Sequence, residues 1–110
     1  MDVWYYAIVY CLHSQVQRTI SLLCTDTSEV GAMYDYLKAS YPKAQYIQRK
    51  LPTGELLGFL ADKMNWQEEI ALWQVIYQLC SRGWEPLGIA SDVQLGGSHT
   101  EFVYQFRRKR

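Results

Sequence analysis

Nine consecutive residues near the N-terminus, Trp4 to Leu12, carry no charge and are dense in aromatic and β-branched side chains. Such a run favours a strand. Side chains alternate between strand faces, so Tyr6, Ile8, Tyr10 and Leu12 share one face and Tyr5, Ala7, Val9 and Cys11 the other. Both faces are apolar. A strand of this kind belongs in the middle of a sheet with cover on each side, and the remaining elements must be arranged around it.

Arg18–Thr25 reads as a second strand, with Ile20, Leu22 and Cys24 facing one way and the polar stretch His13–Gln17 as the hairpin loop. Asp26 or Thr27 can cap a helix, and Asp26-Thr27-Ser28-Glu29 has the spacing of a capping box, with Glu29 placed to reach back. Val30, Met33, Leu37 and Tyr41 then recur at helical spacing, and Pro42 stops the helix. Ala44–Leu51 reads as a strand, Pro52-Thr53-Gly54-Glu55 as a turn with Gly54 accepting positive φ, Leu56–Leu60 as the return strand, and Asp62–Met64 as a connector. Asn65 caps a second helix with Glu68 completing its box; Trp66, Ile70, Trp73, Tyr77 and Cys80 mark its buried stripe, widened by Leu72, Ile76 and Leu79. Gly83 is the left-handed residue after the last turn, and Trp84 folds back onto Leu79 in a Schellman ending. Glu85–Val93 is a strand whose Pro86 lies at its start or on an edge. Gln94–His99 reverses the chain. Thr100–Arg107 is the last strand, with Phe102, Tyr104 and Phe106 on one face.

The order is β-β-α-β-β-α-β-β. It implies an α+β fold: a single antiparallel or mixed sheet of about five to six strands with two helices packed on one face. Two β-β-α units with a closing hairpin, or overlapping β-α-β-β halves, both fit this order. The 110 residues suit one domain spanning 1–110, and a hydrophobic content of 49% against 20% charged supplies a core. Eleven Lys and Arg balance eleven Asp and Glu, but Arg107, Arg108, Lys109 and Arg110 crowd the C-terminus as a basic tail, so the rest of the chain holds an excess of acids. A general field attracting nucleic acid is therefore excluded, and only this tail can contact a polyanion.

Met-Asp-Val-Trp lacks the basic region of a secretory leader, and no apolar run approaches the roughly 20 residues of a membrane span. The three cysteines lie in apolar segments and read as reduced thiols, which places the chain in the cytoplasm, away from the membrane.

A helix followed by Gly83-Trp84-Glu85, a short strand, a Gly-rich gap, and an aromatic strand closing on Phe106-Arg107-Arg108 resembles a family of small uncharacterised bacterial domains. In that family Gly-Trp-Glu follows the helix and a Phe-x-Arg strand ends the chain. The likeness covers the last third of the chain and, loosely, the Trp4-Tyr5-Tyr6 strand; the segment from His13 to Lys63 is longer than in those domains. It implies a small α+β domain and no particular activity.

No constellation nominates a reaction. Cys11 and His13 share a strand face, but a Cys-His nucleophile needs a third group to orient its base, and an isolated thiol packs as a small hydrophobe. Cys11, Cys24, Cys80, His13 and His99 lack the paired spacing of a zinc site. Glu68-Glu69 opens a helix, where acids suit the dipole, and Gly96-Gly97 leads into a strand, not the helix of a phosphate cradle. No cofactor is implied.

The aromatic share of 15% includes nine Tyr and four Trp. Tyr36, Trp66, Trp73, Tyr104 and Phe106 are the candidate interaction surface, since Tyr and Trp are enriched where proteins meet. The leading expectation is a non-catalytic module that self-associates as a homodimer or binds an unidentified protein partner. A second is a single-stranded nucleic-acid binder stacking bases on Tyr104 and Phe106, with phosphates on Arg107 to Arg110. A third is a small ligand-binding domain or enzyme with a pocket between sheet and helices.

Overall fold

A computed structural model of the chain describes residues 4–14, 18–60, 67–95 and 99–110. The elements are β1 (Trp4–Ser14), β2 (Arg18–Cys24), α1 (Thr27–Ser40), β3 (Gln45–Leu51), β4 (Gly54–Leu60), α2 (Gln67–Ser81), β5 (Glu85–Leu95) and β6 (His99–Lys109). The fold is α+β. Six strands form one antiparallel sheet in the order β3-β4-β2-β1-β6-β5, and the helices lie on one face of it. β1 pairs with β2 on one side, Val9 opposite Leu22, and with β6 on the other, Val9 opposite Tyr104. The hairpins β3–β4 and β5–β6 extend the sheet to its two edges, and Pro86 lies on edge strand β5 beside a register shift.

The core fills the space between sheet and helices. Ala7, Val9 and Cys11 of β1, Ile20, Leu22 and Cys24 of β2, Leu57 and Phe59 of β4 and Phe106 of β6 meet Val30, Met33 and Leu37 of α1 and Ala71, Val75 and Leu79 of α2. Asp26 caps α1, its carboxylate accepting from the Ser28 N–H at 3.1 Å. The second helix ends as its sequence predicts: Gly83 takes φ of 91°, and the Trp84 N–H donates to the Leu79 carbonyl at 3.0 Å.

Several expectations need correction. The buried stripe of α2 is Ala71, Val75 and Leu79, flanked by Leu72 and Ile76, while Trp73 and Tyr77 are 70% and 69% exposed. Small Ala71 and Val75 let the helix approach the sheet; the larger aromatics point away. Trp66 and the Asn65 cap lie outside the described residues, as does the connector Asp62–Met64. Gly54 belongs to β4, and its need is space: a Cβ there would stand 2.3 Å from the Cys24 carbonyl oxygen. Glu29 does not reach back to its cap; it is buried against two arginines. Residues 107–109 are not a tail but the end of β6, paired with Trp4 to Tyr6 of β1. Most consequentially, among the described residues the helices cover one face of β1, and no other element lies over its second face.

The glycines supply a paired test. Gly54→Ala should lower stability by about 1–3 kcal/mol, since the added methyl drives into backbone. Gly31→Ala, in α1 where a Cβ meets nothing within 4 Å, should raise it by about 0.5–1 kcal/mol through helix propensity. Urea titration reads both.

Candidate interaction surface

The face of the sheet away from the helices follows directly from the strand registers. One row runs Arg49, Leu56, Leu23, Ile8 and Gln105 across β3, β4, β2, β1 and β6. The next runs Ile47, Gly58, Ser21, Tyr10 and Val103, and a third runs Gln45, Leu60, Thr19, Leu12 and Glu101. Ile8, Leu12, Leu23, Leu56, Leu60 and Val103 are only half-buried, whereas Ala7, Val9, Cys11, Leu22, Cys24, Leu57 and Phe59 on the helix side are fully enclosed. Ile47 and Tyr6 are 50% and 51% exposed. The β4, β2 and β1 positions of these rows therefore hold leucine, isoleucine, tyrosine and small residues, flanked by Arg49, Gln45 and Gln105, with no described element over them.

The charged corner beside this face looks different from its sequence reading. Arg107 Nε donates to Glu85 Oε2 at 2.8 Å, and its guanidinium lies 4.2 Å from the centre of the Trp4 ring. Arg108 reaches to the helix side, where it pairs with Asp26 and approaches Glu29 Oε2 at 3.8 Å. Its guanidinium also stands over the Trp84 ring at 4.8 Å and the Tyr5 ring at 5.3 Å. Arg82 closes the cluster on Glu29 at 2.5 Å. Glu29 is just 4% exposed, so its charge is tolerable only because two guanidiniums enclose it. Burial alone would raise the Asp26 carboxyl, but hydrogen bonds from Ser28 and Arg108 outweigh it and hold that group below the usual range. Lys109 and Arg110 are exposed, and Arg110 stacks on Tyr5 at 4.3 Å.

Of the aromatic candidates, Phe106 is 2% exposed and belongs to the core, which removes it as a surface residue. Tyr104 and Tyr36 are half-buried and pack against that core. The tyrosine surplus is partly spent at the end of α1. There the Tyr46 hydroxyl donates to the Leu37 and Tyr41 carbonyls at 3.0 and 2.7 Å, and Tyr34 meets Tyr46 edge-on with centroids 5.3 Å apart. Trp73 stands exposed with Tyr77 on α2, a ridge that the stripe reading had turned inward.

Two of the three thiols, Cys11 and Cys24, are buried, and Cys80 is exposed. Burial pushes Cys11 up to about 12 and Cys24 to about 11, the latter despite a nearby backbone hydrogen bond and Arg108. His13 follows Cys11 by two positions on β1, opposite Arg18. Among the described residues no three His, Cys, Asp or Glu side chains gather as metal ligands would, and no helix is long and apolar enough to cross a membrane. A hollow of about 480 Å³ by the β3–β4 turn is lined by Thr25, Thr27, Thr53, Lys50 and Glu55. Lys50 and Glu55 face each other in the register, so the hollow presents no net charge from that pair.

No protein-family model matches the chain, and no curated protein is similar to it in sequence. Its backbone is similar to the crystal structure of a conserved kinetoplastid-specific protein from Trypanosoma cruzi, with a TM-score of 0.69 over 96% of this chain and 97% of that one. Identity is 12%, so the likeness establishes a shared fold.

Two tests follow from this chemistry. Asp26→Asn keeps a capping side chain but loses the charge that meets Arg108; it should cost about 1–3 kcal/mol at neutral pH. A carboxyl whose folded pKa is depressed stabilises fully above its unfolded value of about 3.9 and ceases to do so as pH falls through the lower folded value. The gap between Asp26→Asn and wild type should therefore close in acid, in chemical denaturation repeated at falling pH; a gap independent of pH would refute the ion-pair account. In thiol titration of the native protein at pH 8, exposed Cys80 should react at once, and the buried Cys11 and Cys24 only on unfolding.

Proposed function

We propose that the chain is a non-catalytic protein-interaction module that self-associates as a homodimer in the cytoplasm. The supporting observation is the second face of the sheet, free of charge along β4, β2 and β1 and covered by nothing described. Apolar surface is worth about 25 cal/mol for each Å² removed from water. Monomers rarely leave contiguous apolar patches beyond a few hundred Å². A sequence selected merely to fold would place polar residues on the solvent side of β1, as half-covered antiparallel sheets do; Ile8, Tyr10 and Leu12 stand there instead.

The chemistry of the other candidates favours the same reading. Arg107 and Arg108 spend their charge on Glu85, Asp26 and Glu29, which weakens the case for a polyanion on the last strand. The cytoplasmic assignment draws on three free thiols, two of them buried and none paired.

Light scattering on a sizing column across a concentration series tests the proposal. The expected mass is twice the 12.9 kDa of one chain, falling toward one chain on dilution. A mass of one chain throughout would overturn self-association.

A further inference from the structure

We infer that a second copy docks on the outer side of α2, the two helices packed antiparallel along the line of Trp73, Tyr77 and Cys80. The inference rests on the self-association reading and places the contact on the helix side of the sheet.

Helix α2 is apolar on two opposite sides. Ala71, Val75 and Leu79 are enclosed against the sheet. Successive residues of a helix turn by about 100°, so Trp73, Tyr77 and Cys80 come round to the side opposite Val75. Trp73 and Tyr77 are 70% and 69% exposed, and Cys80 is exposed. From Ile70 to Cys80 the chain has no charged residue. Its two glutamines are engaged within the chain: Gln74 accepts from the Tyr41 hydroxyl at 2.7 Å and Gln78 from Arg82 at 2.9 Å. A surface helix carries its charged residues opposite its core stripe. A helix apolar on both sides belongs between two layers.

Spacing names the second layer. Along the sequence Trp66, Ile70, Trp73, Tyr77 and Cys80 follow at alternating steps of four and three. That is the narrow seam by which one helix packs along another. Charge sets the direction. Glu68 and Glu69 stand in the first turn of α2 and Arg82 just past its end. Parallel helices would set each glutamate against its own copy. Antiparallel helices with matched seams bring Glu68 level with the partner's Arg82 instead, and α2 supplies both halves of the contact, as two-fold association of identical chains requires. In that register Trp73 packs on the partner's Tyr77, and Tyr77 on the partner's Trp73, across an axis level with Val75. Aromatic pairs of this kind gain from offset or edge-on contact beyond the area they bury. A Trp or Tyr side chain brings about 150–250 Å², so their exposure leaves roughly 200–350 Å² of aromatic surface on each copy. Cys80 and the flanks bring the contact toward the lower end of specific interfaces, about 1,200 Å² in total. A contact of that size suits a dimer that dissociates on dilution.

The experiment compares dimer dissociation constants of the full chain by sedimentation equilibrium, with circular dichroism and thermal melting as checks of folding. Trp73→Lys and Tyr77→Glu change exposed side chains, so both variants keep the fold. Each should weaken the dimer about tenfold or more by burying a charge in the seam. Mixed in equal amounts, the two should associate again at close to wild-type strength, because the antiparallel register sets the new cation of one chain against the new anion of the other. Ile47→Lys, on the open sheet face, should leave the constant unchanged. A wild-type dimer that neither α2 variant weakens, or that Ile47→Lys weakens as much, overturns the inference and spares the self-association reading. A dimer that both α2 variants weaken and their mixture fails to restore overturns the antiparallel pairing, and the inference with it. A wild-type protein that is monomeric throughout overturns both readings.

Discussion

β1 hydrogen-bonds to β2 on one side and β6 on the other, and the remainder of the molecule hangs from that pair of ladders. Pairing with β2 is local, across a short hairpin. Pairing with β6 joins residues about a hundred positions apart, Trp4 opposite Lys109. The second ladder therefore carries the main loop-closure entropy of folding, and it closes a sheet in which each hairpin otherwise has one free flank. Non-local pairing of this kind makes for slow folding relative to helical bundles of equal size.

The ionic cluster acts at that closure. Arg108 sits at the end of β6, Asp26 and Glu29 at the start of α1, and Arg82 just past α2. Three segments distant in sequence converge on one buried carboxylate. Replacing such a group by apolar residues is often neutral for stability; what it contributes here is register, since a one-residue slip of β6 would turn Arg108 away from Glu29 and Asp26 to the other sheet face. Arg107, one position earlier, does occupy that other face, stacked on Trp4. Neighbouring arginines that looked like one basic tail thus serve opposite sides of the sheet.

The two faces of the sheet differ in burial. On one, the helices bring small residues close to the strands and enclose the core, with Tyr5, Tyr46 and Tyr104 half-buried at its edge. On the other, side chains of similar hydrophobicity remain half-buried among themselves. The kinetoplastid protein of similar backbone, at 12% identity, shows that this framework accommodates very different sequences.

Local signals were legible from the sequence alone. The order of elements, a cap at Asp26 or Thr27, the Val30–Met33–Leu37 stripe and the Gly83–Trp84 ending depend on contacts within one or two turns, and near neighbours in sequence report them faithfully. The two-sided apolarity of β1 was equally plain. What the tertiary structure decided are the matters that depend on which side of an element meets which neighbour. Helix α2 offered an aromatic stripe and a small-residue stripe, and only the clearance above the sheet selected Ala71 and Val75. Glu29 had the spacing of a capping box, but its partners came from residues 53 and 79 positions away, which spacing cannot reveal. Arg107 to Lys109 became strand because β1 offered a ladder for them. Periodicity determines that a face is apolar; only the packed chain determines whether that face is spent inside the fold or left for another molecule.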